Sequence, residues 1–460
     1  MSVRSKSPEA TPADPLSARG SSAFLETAAS LGARICRDAV WFEDRCNWIG
    51  PSTEPLAGGW QQVHKAYGAD FYGGTSGIAL VLARLFQATG ERVFRRTALG
   101  SLRHALARAE LVAPEARIGY YSGWLGISQA AFEVATLLDE EGFRAPALEL
   151  AQGVVDAGIG KPHFDVLAGS AGALSSLLVL HLVFEAPPRF KDFACALGEH
   201  LIASAVRTQI GWSWGENGGA GTGTVGNLTG FSHGAAGVGW SFLELFAASG
   251  ESRFRDAGLE AFRYERHWFD QQRGNWPDLR APELSGASVA GELSFMSAWC
   301  HGAPGIGLAR LRASQILDER AERQEAEVAV GTAASMLVGG SELYQNNYSL
   351  CHGVGGNSDL LIEAASVLDQ PQWLEAAREA GRNAIRSIHD QRMPWPCGTQ
   401  NAVEVPGLML GLAGIAHFYL RLYDPHTTTS VLINVPRKRP TKPAERLRGN
   451  AQVRTQSSQR

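Results

Sequence analysis

The sequence predicts an all-α fold, an α/α toroid of about seven inner and seven outer helices. Three observations predict it. A Gly-x-x-Gly pattern recurs seven times at steps of 46 to 68 residues, the mark of a repeat architecture. Each copy opens a run that is apolar on nearly every face, and an amphipathic run follows it. The first and last apolar runs are as hydrophobic as those between, whereas an open stack of helix pairs needs polar caps at its ends. Closing the stack into a ring removes that need.

The copies begin at Gly74, Gly123, Gly169, Gly234, Gly302, Gly353 and Gly411. After Gly77, residues 78–86 read as a buried helix with Gly90 as its C-cap. Residues 91–110, rich in Arg with one apolar stripe, read as its outer partner. Residues 173–184 form the longest apolar stretch; Ser175, Ser176 and His181 interrupt it, and it is too short to span a bilayer. Residues 238–248, ended by Gly250, give a further buried helix. Residues 359–368 and 372–389 repeat the buried–amphipathic pair, and 408–420 supplies the last buried helix. Strand signals are few. Two steps are long enough to hold loops, 211–230 with eight glycines, Trp212 and Trp214, and 270–298 with Asn275-Trp276-Pro277-Asp278. Both lead into repeat turns and are read as candidates for peptide contact. Trp395-Pro396-Cys397 is a further candidate for that rim.

The units form one domain over about residues 23–425. Residues 1–22 read as a disordered tail, Ser/Pro/Ala/Arg-rich and without the apolar core of a secretion signal. Residues 426–460 read as a basic disordered tail: from 436 onward there are eight Lys/Arg against the single acid Glu445. The chain has 460 residues, 45% hydrophobic and 19% charged, which excludes a disordered protein. Its net charge is −4, and with the basic tail set aside the body is more acidic still, which argues against nucleic-acid binding. Six cysteines in this length fit a reducing compartment, with thiols kept for metal or catalysis. A soluble, cytoplasmic protein without an integral membrane segment is expected.

Chemistry gathers just before the Gly-x-x-Gly copies. Asp165 stands four residues before Gly169, and His233 precedes Gly234. Cys300-His301 precedes Gly302, and Cys351-His352 precedes Gly353. In a toroid these turns share one end, so their side chains converge on one mouth. They also stand at inner-helix N-termini, where the dipole favours a thiolate. Random placement of six cysteines and twelve histidines would give well under one Cys-His neighbour pair; there are two, in the same phase of the repeat. Two thiolates and one imidazole, with a fourth position left open, are the pattern of a catalytic zinc site. The spacing alone leaves His301 and His352 both open as the imidazole.

The strings Phe231-Ser-His233-Gly, Trp299-Cys300-His-Gly-Ala-Pro-Gly305 and Leu350-Cys351-His352-Gly resemble those of the lanthionine synthetase C-like (LanC-like) cyclases. Asn47-Trp48-Ile49-Gly50, residues 70–77 and Pro406 to Gly414 agree. The resemblance covers about residues 40–425 and is nearest to the cyclase half of the class II, LanM-type, bifunctional lanthipeptide synthetases. It implies an α/α toroid, a bound Zn2+ and thioether ring closure in a dehydrated, Cys-containing precursor peptide. It implies Cys300, Cys351 and His352 as the metal ligands, with His233 and Asp165 at the acid/base positions. His233 would then donate a proton to the enolate or take one from the thiol, and Asp165 would orient or charge its ring. Two departures stand beside it. Only about 40 residues precede the first motif, so a separate dehydratase is expected. Some relatives carry an Arg shortly before the first zinc cysteine, and residues 293–299 contain none. Two rival readings are a zinc- or thiol-binding protein of the same family that takes glutathione or a peptide without cyclising it, and a prenyltransferase-like toroid. The paired Cys-His-Gly strings speak against the latter, whose zinc ligands include an Asp.

Overall fold

The computed structural model describes residues 15–56, 59–215, 226–280, 293–338 and 347–436. Its helices are α1 (Pro15–Arg37), α2 (Thr75–Thr89), α3 (Arg92–Arg108), α4 (Trp124–Leu138), α5 (Arg144–Ala157), α6 (Ser170–Phe184) and α7 (Arg189–Ser204). They continue with α8 (Ala235–Ser249), α9 (Ser252–Trp268), α10 (Ala303–Leu317), α11 (Arg320–Val338), α12 (Val354–Val367), α13 (Gln372–Ala384) and α14 (Leu412–Tyr423). The even-numbered helices are the apolar runs that begin at Gly-x-x-Gly. Each packs on the next, and α14 packs back on α2, so the ring is closed. The odd-numbered helices α3 to α13 each pack on the inner helix before them. The described strands form three short antiparallel hairpins, β1–β2 (Val40–Phe42, Arg45–Asn47), β3–β4 (Ile49–Leu56, Gly59–Ala66) and β5–β6 (Val206–Thr208, Gly211–Ser213). No described helix is long and apolar enough to cross a membrane.

The turns show why glycine recurs. In six of them the first N–H of the inner helix donates to the carbonyl seven residues earlier, as from Ala235 to Leu228 at 3.0 Å. That tight loop lays the helix start on its own approach. A Cβ at Gly126 would lie 1.7 Å from the Tyr120 carbonyl oxygen, and at Gly237 2.0 Å from that of Phe231. No side chain fits there.

Two segments differ from the sequence expectation. The outer partner of α14 is α1, from the opposite end of the chain, so the last unit is completed by the first helix. Its stripe Phe24, Ala28, Leu31 and Ile35 is buried, and the Phe24 ring lies 6.2 Å from that of Tyr419. The helix begins at Pro15, eight residues ahead of the expected domain start, with Pro in the first turn where no N–H is needed.

The second difference is at the C-terminus. Residues 426–436, expected in the basic tail, fold back inside the ring. Val431, Leu432 and Ile433 are buried. The segment satisfies inner-wall groups that would otherwise be orphaned: Tyr121 donates its hydroxyl to the Val431 carbonyl at 2.7 Å, and the Trp299 indole N–H donates to that of Leu432 at 2.8 Å. The Gln129 and Asn434 amides pair reciprocally at 2.8 and 3.0 Å. Hydrophobicity and unmet hydrogen bonds thus outweigh the entropy of a free end. Residues 1–14 and 437–460 lie outside the described residues. Leu432→Ala is expected to lower stability by about 2–5 kcal/mol, read as a lower denaturant midpoint at unchanged slope.

Candidate active site

The seven turns are stitched to one another by main-chain hydrogen bonds at one equivalent position, two residues before the first glycine. Going round the ring, the N–H of Tyr72 donates to Tyr121 (2.9 Å), Tyr121 to Leu167 (3.0 Å), Leu167 to Ser232 (3.3 Å) and Ser232 to Cys300 (3.4 Å). Cys351 donates to Met409 (3.0 Å), and Met409 to Tyr72 (2.8 Å). One seam is left. Among the described residues no such bond joins Cys300 to Cys351, and there the two thiols meet instead. The repeat therefore places both cysteines in the same register of adjacent turns, at the only seam without a backbone stitch among those described.

The thiols interact directly, and the pairing divides their acidity. Contact with Cys351, followed by burial, holds the Cys300 thiol well above the ordinary thiol range. Contact with Cys300 carries Cys351 below it; burial opposes this, and the Tyr72 hydroxyl and Arg280 reinforce it. Three of the other cysteines behave as buried hydrophobes: burial pushes Cys36 up to about 11 and Cys46 and Cys397 up to about 12. All six are free thiols. The His352 imidazole faces the pair closely enough to lower Cys300 electrostatically, and its ring rests against Gly398.

Opposite the thiols, His233 Nδ1 donates to Asp165 Oδ2 at 2.6 Å. An ionised carboxylate only accepts, so this contact fixes the proton on Nδ1 and frees Nε2. Burial pushes the imidazole down, but the hydrogen bond and charge of Asp165, with Cys300 adding to them, carry it above its ordinary value. His233 remains 37% exposed, so the mouth reaches it. Asp165 Oδ1 also accepts the Ala168 N–H at 2.8 Å, so one carboxylate both shapes its own turn and holds the neighbouring imidazole. The expected sign follows. In Asp165→Asn the charge that raises His233 disappears while burial stays, so His233 should fall. An NMR titration of the imidazole should show its midpoint at lower pH than in the wild type.

His301, the other imidazole left open by the spacing, lies in a buried cluster. Its Nδ1 lies 3.9 Å from Asp278 Oδ1, in the loop that leads into its turn. Burial pushes His301 down to about 3, so it is neutral at working pH. Its ring centre is 6.1 Å from that of His233.

The sequence reading missed Arg280 and Tyr72. Arg280 Nε lies 3.0 Å from both Asp278 carboxylate oxygens, and Nη2 lies 2.5 Å from Oδ2. Burial works against both charges, yet the pair keeps Asp278 below the usual carboxylate range and Arg280 above its own value. The guanidinium is close enough to lower both Cys300 and Cys351. Residues 293–299 hold no Arg; this guanidinium belongs to the loop ahead of them. The one available signal was Asp278 two residues before an Arg within the loop already marked for peptide contact. Within that loop Trp276 is buried against Phe269, with ring centres 4.8 Å apart. Trp214 is buried with its indole donating to the Leu201 carbonyl at 2.8 Å, and Trp395 is buried between Tyr348 and Tyr419. These tryptophans pack the scaffold. Residues 216–225 and 281–292 of the two candidate loops lie outside the described residues.

Two soft sulfurs and an imidazole at one mouth are a donor set that fits zinc. The three border the seam without closing into one group: among the described residues no three His, Cys, Asp or Glu side chains stand together in ligating geometry.

Fold and mouth define a class, an α/α toroid with a thiol–imidazole centre at the N-termini of its inner helices. The chain belongs to the lanthionine synthetase C-like protein family, whose sequence profile matches residues 65–433. It is similar to the nisin biosynthesis protein NisC of Lactococcus lactis subsp. lactis, 28% identical over 221 residues, 45% of this chain and 49% of that protein. It is also similar to the lacticin 481/lactococcin biosynthesis protein LcnDR2 of the same organism, 22% identical over 214 residues, 45% of this chain and 22% of that protein. The matches thus span about half the length of the first relative and about a fifth of the second. Among solved structures the chain is similar to nisin cyclase, with a TM-score of 0.62 at 19% identity over 79% of this chain and 91% of that one. That likeness shows the toroid.

Proposed function

We propose that this protein is a lanthionine-forming cyclase that closes thioether rings in a dehydrated, Cys-containing precursor peptide. The observation that carries this reading is the placing of Cys300 and Cys351 at one seam, facing the His233–Asp165 pair. Family membership and the likeness to NisC support it. Cys300, Cys351 and His352 would hold a zinc ion. Bound zinc supplies one thing, a substrate thiol held as thiolate at neutral pH, where a free thiol with a pKa of about 8.5 is mostly protonated.

The reaction forms one S–Cβ bond and breaks the π bond of a dehydroalanine or dehydrobutyrine, leaving its Cα–Cβ single bond. The thiol loses its proton, Cα gains one, and no oxidant or reductant is needed. His233 moves that proton: its Nδ1 is tied to Asp165, so Nε2 can take the thiol proton or deliver one to Cα. Arg280, locked on Asp278, presents a fixed positive charge toward the negative charge that develops on the adjoining carbonyl oxygen. The Tyr72 hydroxyl steadies the Cys351 sulfur.

The substrate must arrive dehydrated, from an enzyme that removes water from Ser or Thr, and we place the work in the cytoplasm, in lanthipeptide (lantibiotic) biosynthesis of the class II kind. The test is a synthetic peptide with one Cys and one dehydroalanine, followed by thiol alkylation and mass spectrometry. Loss of the free thiol at constant mass is expected. A thiol retained in a peptide that still binds would instead make the protein a thiol-binding member of the family.

A further inference from the structure

Each mouth turn needs an acceptor for the N–H groups that its tight path leaves unpaired. Three carry their own, among them the first and sixth. Asp70 Oδ1 accepts from Gly73 and Gly74 at 2.8 and 3.3 Å, and Asn347 Oδ1 from Ser349 at 3.1 Å. The Cys300 turn is served from the preceding loop, where Asn275 Oδ1 accepts the Ala303 N–H at 2.8 Å. The turn Gly230-Phe-Ser-His233-Gly-Ala-Ala236 contains no Asp or Asn. Its acceptor comes from outside. Glu265 on the outer helix α9 is wholly buried, and its Oε1 accepts the N–H of Gly230 at 3.0 Å and of Ala236 at 2.8 Å. These are the first and last residues of the turn that carries His233.

The opposite side of the turn is fixed as well. Gly230, at φ +98°, approaches the Cys300 carbonyl so closely that a Cβ would lie 2.8 Å from its oxygen. Ser232 donates its N–H to the same oxygen. The turn is held between the Glu265 carboxyl behind and the Cys300 main chain in front. A carboxyl at this depth is unfavourable: burial pushes it up to about 7, with Arg310 and the two N–H groups opposing the rise. Its second oxygen has no partner among the described residues. No proton-transfer step uses this group, and it stands behind the turn rather than in the mouth.

We infer that Glu265 is a positioning residue: by gripping both ends of the Gly230–Ala236 turn it sets where the His233 imidazole stands relative to Cys300. The inference rests on the reading of His233 as the proton carrier.

Three variants test it, each assayed with the synthetic dehydroalanine peptide and by amide hydrogen exchange. Glu265→Leu keeps the volume and removes the acceptor. Glu265→Asp keeps the charge and withdraws it by one methylene, so a result is available even if the Leu variant folds poorly. Exchange at Gly230 and Ala236 should quicken at least about tenfold in both, and kcat should fall about ten- to a hundredfold with KM within about threefold. Glu265→Gln, with an amide oxygen for both N–H groups, should recover most of the turnover lost in Glu265→Leu. In a His233→Ala background Glu265→Leu should cause no further loss of kcat. Unchanged exchange at Gly230 and Ala236, a matched change in kcat and KM, or an additional loss in that background would overturn the inference while leaving the role of His233 standing. Wild-type turnover by His233→Ala alone would bring down the underlying reading and the inference together, and so marks that failure apart.

Discussion

Cys351→Ala is expected to abolish ring closure, with a loss of about a thousandfold or more in turnover. Two effects combine. Cys351 is the one cysteine whose thiol is carried below the ordinary range, by Cys300, Tyr72 and Arg280 together. Removing it takes away the donor most ready to be a thiolate, and it leaves Cys300 without the partner across the seam. Loss of several kcal/mol of charge stabilisation at the reacting sulfur corresponds to that factor. The side chain is small and buried, so the fold should tolerate the change, and circular dichroism and thermal unfolding should show a native protein. The assay is the disappearance of peptide thiol at constant mass. Turnover within about threefold of wild type would remove Cys351 from the chemistry.

His233→Ala is expected to retain zinc and lose about a hundred- to ten-thousandfold in kcat, the range for a general acid–base group. The residue stands on the turn next to that of Cys300, with its Nδ1 committed to Asp165 at 2.6 Å, so it can move a proton without holding the metal. The pH dependence supplies a second check. With His233 above its ordinary value, the imidazolium persists to higher pH than in a free histidine. Its pairing with Asp165 therefore stabilises the fold fully below the unfolded value, and that contribution is lost as pH rises through the folded value. Asp165→Asn should remove this dependence and shift the activity limb assigned to His233 toward lower pH. Wild-type activity in His233→Ala would show that solvent or another group carries the proton.

What was legible in the sequence was what repeats. Seven Gly-x-x-Gly copies marked the inner helices, and the common phase of His233, Cys300-His301 and Cys351-His352 placed them at one end. The close approach of each turn to its own helix start makes glycine obligatory there, so the pattern survives in a single sequence. What escaped was what does not repeat. Arg280 reaches the thiols from a loop twenty residues before Cys300, through an ion pair with Asp278, and no periodicity points to it. Glu265 belongs to an outer helix and looks like any acidic surface residue until its burial is seen. The closing helix and the segment inside the ring escaped for a related reason. α1 is amphipathic but follows no glycine signal, and residues 431–434 are too short a run to distinguish a buried strap from a tail. Long-range closure decides both, and local composition is silent about it.

The imidazole choice shows the same limit. Spacing left His301 and His352 equivalent, one residue before a glycine in each turn. The structure separates them by environment: His301 is buried beside Asp278 and held neutral, while His352 faces the thiols. The cause is burial, which lowers His301 against the opposing charge of Asp278 in the loop before the Cys300 turn.

Whether the thiol–imidazole centre holds zinc is decided by zinc per chain from elemental analysis, on protein purified without added metal or chelator, wild type beside Cys351→Ala. About one zinc per wild-type chain and almost none in the variant are expected, with both proteins folded. A folded wild-type protein without zinc, or a variant that keeps it in full, would contradict the assignment of Cys300, Cys351 and His352 as its ligands and with it the proposed activation of the substrate thiol.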